Sequence, residues 1–505
     1  MDSITRREAV GGAAGLGALG IVGAMSGVAN ANVAGAKEAS SSQGDSADGA
    51  ASGNGPTSED GSGFSDRGYV PNLRIRNKDV VLRRDELKDM LLDEPEPEGD
   101  LTLPDGTVIP AIYVKLRNRL NRLGWGVGSQ VDETSFQFLT YLWSEDDAKV
   151  CCEVPLYQWF NAFDYSQICG KPTDECDEIL SDIAQRGLMI RVSRANTNFY
   201  ALQPYVAGCW EATELIQYYS NDKSMDACTE VLSQNVAGKD WAFEMSDNEF
   251  NTITVCPVSS DVIADDKLAP YMDWRERIRS AGTIGVAACQ CMIADHCLKG
   301  EDFDDRFPLR RCMYLNDSGE YFISIGAAEQ IDADEAIKIG ESAVEAGMVP
   351  EYMTATQGDI ICFCHSDECL PLGFVKSFQG CNPTSMHNVS AYKLQYDPDK
   401  CISCGACIER CPMRAITFDD ENHCVHADIC VRCGQCVTVC PASARILKQR
   451  DDFPYEDMAV DYAIGWSEQF AKQRLARGTL HDFVGTSIPT NDYAVVADSA
   501  ERTSL

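Results

Sequence analysis

The 505-residue chain is short of positive charge: 43 Lys and Arg stand against 78 Asp and Glu, a formal net charge of −35. So acidic a surface lacks the basic face that phosphate backbones need, which argues against a nucleic-acid partner. Beyond Ala31 there is no apolar run long enough to cross a bilayer. Three short signatures are also missing. Without C-x-x-C-H there is no c-type haem attachment, without G-x-x-x-x-G-K no phosphate loop, and without G-x-S-x-G no serine-nucleophile elbow. No cysteine precedes Cys151, which leaves the amino-terminal segment without a thiol for a lipid anchor. Elsewhere cysteine is abundant. There are 24, in a chain long enough for two to four domains that needs no disulfides to hold a core, so they point to metal or redox chemistry.

The first 31 residues read as an export signal. Thr5-Arg6-Arg7 precedes a mildly apolar, glycine-rich run from Ala9 to Ala29, and Ala29-Asn30-Ala31 has the small-x-small pattern of a cleavage site. The twin arginine resembles a twin-arginine (Tat) signal. A soluble protein outside the cytoplasmic membrane is expected, with membrane contact only if the signal stays uncleaved. Gly15-Leu16-Gly17-Ala18-Leu19-Gly20 fits G-x-G-x-x-G but follows no strand and opens no βαβ unit, so it is read as chance. Residues 32–68 are nearly all small and polar and cannot offset their ordering entropy, which predicts a disordered linker.

The remainder predicts a multidomain α+β protein. Residues 69–205 read as a helical, winged-helix-like region. Ile112, Leu116, Leu120 and Leu123 recur at helical spacing, with Lys115, Arg117, Arg119 and Arg122 on other faces. From 133 to 205 the pattern is three helices and then two short strands flanking Ala195-Asn196-Thr197, a hairpin signal. With no concentrated basic face, a scaffold or docking role is preferred to DNA binding. Residues 206–390 form a cysteine-rich α+β region, in which Asp332-Ala333-Asp334-Glu335 predicts a helix start. Residues 391–450 form a compact thiol-rich module, and 451–505 hold one helix, Met458–Leu475, and a tail.

The strongest signal lies in that module. Cys401-Ile-Ser-Cys404-Gly-Ala-Cys407-Ile-Glu-Arg-Cys411-Pro412 has the spacing C-x2-C-x2-C-x3-C-P, and Cys430, Cys433, Cys436 and Cys440-Pro441 repeat it 29 residues on. This is the two-cluster bacterial ferredoxin pattern, in which the fourth cysteine of each run ligates the other cluster. Cys401, Cys404, Cys407 and Cys440 are therefore expected to hold one [4Fe–4S] cluster, and Cys430, Cys433, Cys436 and Cys411 the other. Disulfides or zinc fit the duplicated Cys-Pro ends poorly. Cys424, between the motifs, reads as a buried thiol.

Upstream lies a second thiol group: Cys289, Cys291, Cys297, Cys312, Cys362, Cys364, Cys369 and Cys381, with His296 and His365 beside it. Two C-x-C pairs separated by a helical segment suggest loops converging on a further iron–sulfur cluster or a zinc. Disulfides between the loops are the alternative in an oxidising compartment. The scattered Cys151, Cys152, Cys169, Cys176, Cys209, Cys228 and Cys256 read as small hydrophobes or partial disulfides.

Residues 110–450 resemble a family of iron–sulfur proteins of anaerobes, in which a winged-helix-like region precedes a cysteine-rich segment and a two-cluster ferredoxin module. The resemblance rests on Pro204-Tyr205-Val206-Ala207-Gly208, Cys289-Gln290-Cys291-Met292, Ile331–Glu351 and Ile361-Cys362-Phe363-Cys364. The chain departs from that family at Met292, where arginine is usual, and over Cys362–Cys369, where the family's cysteines are denser. The resemblance implies electron carriage but names no reaction. The reading preferred is a non-catalytic carrier working with a partner reductase or dehydrogenase. An oxidoreductase with its own metal site at Cys289–Cys381, and a redox sensor, are the alternatives.

Overall fold

The structure, a computed structural model, describes residues 94–124, 127, 133–220, 253–264, 268–300, 302–355, 359–377, 390–451, 462–477, 480 and 482–488. The export signal, the 32–68 stretch, Cys228 and Cys381 lie outside the described residues.

Strands β1 (Leu101–Thr102) and β2 (Val108–Ile109) pair antiparallel and lead into helix Ala111–Asn121. Its apolar stripe forms as the spacing predicts, but the basic positions do not face water: Arg117, Arg119 and Arg122 are all buried. Arg119 pairs with Glu94 at 2.6 Å, and Arg122 pairs with Asp482 from the far end of the chain. A buried guanidinium needs such partners, and here they come from segments that the helix's own periodicity cannot reveal.

Residues 133–201 run as helix Glu133–Leu142, helix Glu145–Glu153, β3 (Phe160–Asn161), helix Ala162–Cys169, helix Thr173–Gln185, β4 (Ile190–Arg194) and β5 (Thr197–Ala201). There is one helix more than the apolar pattern predicts, because Ser144 starts a new one with a capping box. Its hydroxyl accepts from the Asp147 N–H, and the Asp147 carboxylate accepts from the Ser144 N–H. The β4–β5 turn places both Ala195 and Asn196 at positive φ, the geometry of a two-residue hairpin. The three strands assemble in the order β3-β5-β4.

The middle region is built on a six-stranded antiparallel sheet. Its strands are β6 (Ile253–Val255), β7 (Ile284–Ala288), β8 (Arg310–Leu315), β9 (Glu329–Gln330), β10 (Val349–Met353) and β11 (Ile360–Cys364), in the order β6-β10-β11-β8-β7-β9. Successive side chains point to opposite faces. Met313, Leu315, Ile361 and Phe363 accordingly pack with Trp274 and helix Ala333–Glu345 on one face. Cys312, Tyr314, Ile360 and Cys364 join the larger core shared with the amino-terminal helices. The helix begins where the sequence places it, with the Asp332 carboxylate accepting from the Glu335 N–H at 2.8 Å. Because both faces are covered, β7 is buried along its whole length and shows no polar alternation in sequence.

The last described elements are β12 (Tyr392–Tyr396), β13 (Ile416–Phe418), β14 (Cys424–His426), β15 (Arg445–Gln449) and helix Ser467–Arg477. Arg474 of that helix donates to the Asn121 carbonyl at 2.6 Å, closing the carboxyl-terminal segment onto the first helix. Among the described residues no helix is long and apolar enough to cross a membrane.

Helix Ala333–Glu345 approaches the sheet closely at Gly340, where a Cβ would sit 2.5 Å from the Phe363 ring and 2.6 Å from the Trp274 indole. Both rings are buried and cannot swing aside. Gly340→Val is therefore expected to lower stability by about 1–3 kcal/mol, read as a fall in the urea midpoint of protein held under anaerobic conditions.

Candidate metal centres

The module of residues 390–451 is made of two antiparallel ribbons, β12 with β15 and β13 with β14, and two short helices, Ala406–Arg410 and Gln435–Thr438. Its two cysteine loops repeat each other residue by residue. Ser403 and Arg432 share positive φ, as do Gly405 and Gly434, and Arg414 and Ser443. Left-handed residues at these points curl each loop around its thiols. At Gly434 the space is as demanding as the dihedral, because a Cβ would meet Val262 Cγ2 at 2.6 Å.

Backbone N–H groups are turned toward sulfur at matching positions. The Ala415 N–H donates to Cys411 Sγ and the Ala444 N–H to Cys440 Sγ, each at 3.3 Å. Cys401 accepts from the Ser403 amide and Cys430 from the Arg432 amide. Such donors favour a thiolate and its negative cluster. Burial acts the other way, pushing the thiols of Cys430, Cys433 and Cys436 up and that of Cys407 up to about 11. Cys401, near the rim, is instead lowered, first by the Tyr396 hydroxyl and then by the Ser403 amide.

Cys411, from the first motif, lines one cavity together with Cys430, Cys433 and Cys436 of the second, against Ile416 and Leu447. Around the first loop, Cys404 is exposed while Cys407 is buried. Cys424 is a neighbour that sequence spacing does not reveal: its sulfur lies 3.8 Å from that of Cys407. The turn Asp419–His423, which closes the β13–β14 hairpin and pairs Phe418 with Cys424, was the available signal.

The upstream thiols also come together. Neighbouring thiols interact in pairs: Cys289 with Cys291 and Cys312, Cys362 with Cys312 and Cys364, and Cys369 with Cys291 and Cys364. These interactions hold Cys289 well below its usual range and Cys362 down at about 5, and push Cys291, Cys312 and Cys364 up. Cys297 lies half-buried on helix Gln290–Lys299, which also bears Cys291; Cys381 is outside the described residues. His296 stacks on Phe303, and burial brings the His365 imidazole down to about 4, so it is neutral at neutral pH. Of the scattered cysteines, Cys169 and Cys176 approach to 3.5 Å, and Cys151, Cys209 and Cys256 are buried.

The module is fastened to the middle region through the end of helix Ala333–Glu345. Buried Gln435 donates to the carbonyls of Val344 and Met348 at 2.8 and 2.7 Å. Arg410 donates to those of Glu345 and Val344 at 2.8 and 2.9 Å, and to Gln435 Oε1. A cation at a helix carboxyl end also meets the favourable side of the helix dipole. Gln435→Leu would leave the buried Met348 carbonyl short of its side-chain donor, while the Val344 carbonyl keeps Arg410. A loss of about 1–3 kcal/mol in denaturant unfolding is expected, without a change in the number of thiols available to metal.

Among the described residues, no three Cys, His, Asp or Glu side chains are grouped as ligands of a single ion. No curated protein matches the chain. Residues 400–444 match the 4Fe-4S dicluster domain family. The thiols, the sulfur-facing amides and the cavity fit that cofactor, and the module is an iron–sulfur, metal-binding unit of ferredoxin type with at least one [4Fe–4S] cluster.

Proposed function

We propose that this chain is an exported electron-transfer protein that relays single electrons through two [4Fe–4S] clusters to or from a partner oxidoreductase. Cys401, Cys404, Cys407 and Cys440 ligate one cluster, and Cys430, Cys433, Cys436 and Cys411 the other. The observation that carries the crosswise ligand set is the cavity in which Cys411 meets the three thiols of the second motif. When bound, each cluster supplies a one-electron couple. The protein's own part is to bury the thiols, aim amides at them and keep one end of the relay near solvent. Exposed Cys404 and the exposed side chain of Ile402 make the first loop the end that meets a partner.

The region from 133 to 205 serves as a winged-helix-like docking module. Its element order and its β3-β5-β4 sheet support that reading. Helix Thr173–Gln185 carries Asp174, Glu175, Asp177, Glu178 and Asp182, charges suited to a basic protein and unsuited to phosphate. Export proceeds through the twin-arginine signal with cleavage after Ala31, and the partner is a reductase or dehydrogenase subunit.

Two measurements test this. With a net charge of −35, electron transfer to a basic haem-protein acceptor should slow severalfold from about 10 mM to about 100 mM salt, as the Debye length contracts from about 30 Å to about 10 Å. No transfer at any ionic strength would sink the carrier role. In reduced protein, Cys411→Ser and Cys433→Ser should perturb the same paramagnetic resonance and Cys404→Ser the other. Grouping of Cys411 with Cys404 would overturn the crosswise ligands.

A further inference from the structure

Six upstream thiols interact pairwise in a closed circuit, Cys289–Cys291–Cys369–Cys364–Cys362–Cys312 and back to Cys289. Strand register builds it. β8 and β11 pair Ile361 with Met313 and Ile360 with Tyr314, so the next rung sets Cys362 beside Cys312, and the two-residue period puts Cys364 on the same face. β7 pairs Ala287 with Cys312 before a bulge, and Cys289 follows directly. Cys369 arrives from the turn after β11, its N–H bonded to the His365 carbonyl at 2.8 Å. The two C-x-C pairs face each other, spaced by Cys312 on one side and Cys369 on the other.

The surroundings suit an anionic centre. Arg311, fully buried, reaches Cys289 Sγ at 3.3 Å, Met292 Sδ at 2.6 Å, Glu368 at 3.2 Å and the Phe363 carbonyl at 2.9 Å. A fixed guanidinium beside sulfur compensates thiolate charge out of water.

We propose that this ring of thiols holds a third iron–sulfur cluster, separate from the ferredoxin-type module. Its position makes it an extension of the relay. The Ser366 N–H, two residues beyond Cys364, donates to the carbonyl of Pro412, the neighbour of Cys411, at 3.3 Å, and Arg414 pairs with Asp367 at 2.7 Å. One electron leaving the Cys411-side cluster, oxidised in the step, would reduce the ring's cluster with no bond made or broken; this role rests on the carrier reading, whereas the metal content does not. Met292 and Glu368, the chain neighbours of Cys291 and Cys369, also line a polar pocket with Asp295, His296, Arg306 and Asp367.

The test is iron and acid-labile sulfide per chain in anaerobically purified full-length protein, with 57Fe Mössbauer spectra, for the wild type, a double variant and a single variant. About 12 irons are expected in the wild type and about 8 in Cys291→Ser/Cys362→Ser. Wild-type protein with about 8 irons, unchanged in that variant, overturns the proposal; so does zinc that the variant loses in place of iron. Should the variant lose its native circular dichroism, Cys369→Ser decides. An altered iron count or cluster-type Mössbauer component there, with the resonances that Cys404→Ser and Cys433→Ser perturb left intact, supports the ring, and no change in either sinks it.

Discussion

A thiolate can be taken out of water only when donors or cations face it. That constraint organises this molecule. In the ferredoxin-type module, paired amides point at Cys411 and Cys440 with equal 3.3 Å contacts, while burial drives the inner thiols toward their protonated forms. Iron resolves the conflict by replacing protons, so that metal binding and folding of the loops become one equilibrium. The duplicated left-handed residues belong to the same solution, since without them the chain could not curl its own N–H groups inward.

The second consequence is mechanical. A module whose centre is cofactor has little apolar core of its own, and this one borrows rigidity from the neighbouring sheet. Gln435 and Arg410 seal the end of helix Ala333–Glu345, the Val258 N–H donates to the Cys433 carbonyl at 2.9 Å, and Gly434 presses on Val262. Each anchor lies within a residue or two of a thiol. The loops are thus held by the same contacts that join the two regions, and a shift of the sheet would be felt at sulfur.

At the other end of the chain the same electrostatic rule appears without metal. Arg119 and Arg122 are buried because Glu94 and Asp482 accompany them, and Arg474 because it caps the Asn121 carbonyl. Each of these buried guanidinium groups sits inside with its own partner.

What the sequence by itself determined is everything encoded over a few residues. The C-x2-C-x2-C-x3-C-P repeats, the Ala195-Asn196 hairpin and the Asp332 helix start are legible because their ligands, dihedrals and caps lie within about a dozen residues of one another. Only the tertiary structure decided the rest: the apposition of Cys407 and Cys424, the interior fate of Arg117, and the circuit of six thiols. Those depend on strand register and on segments tens to hundreds of residues apart. A one-residue slip would turn Cys312 or Cys362 to the opposite face, and nothing in their local sequence forbids it.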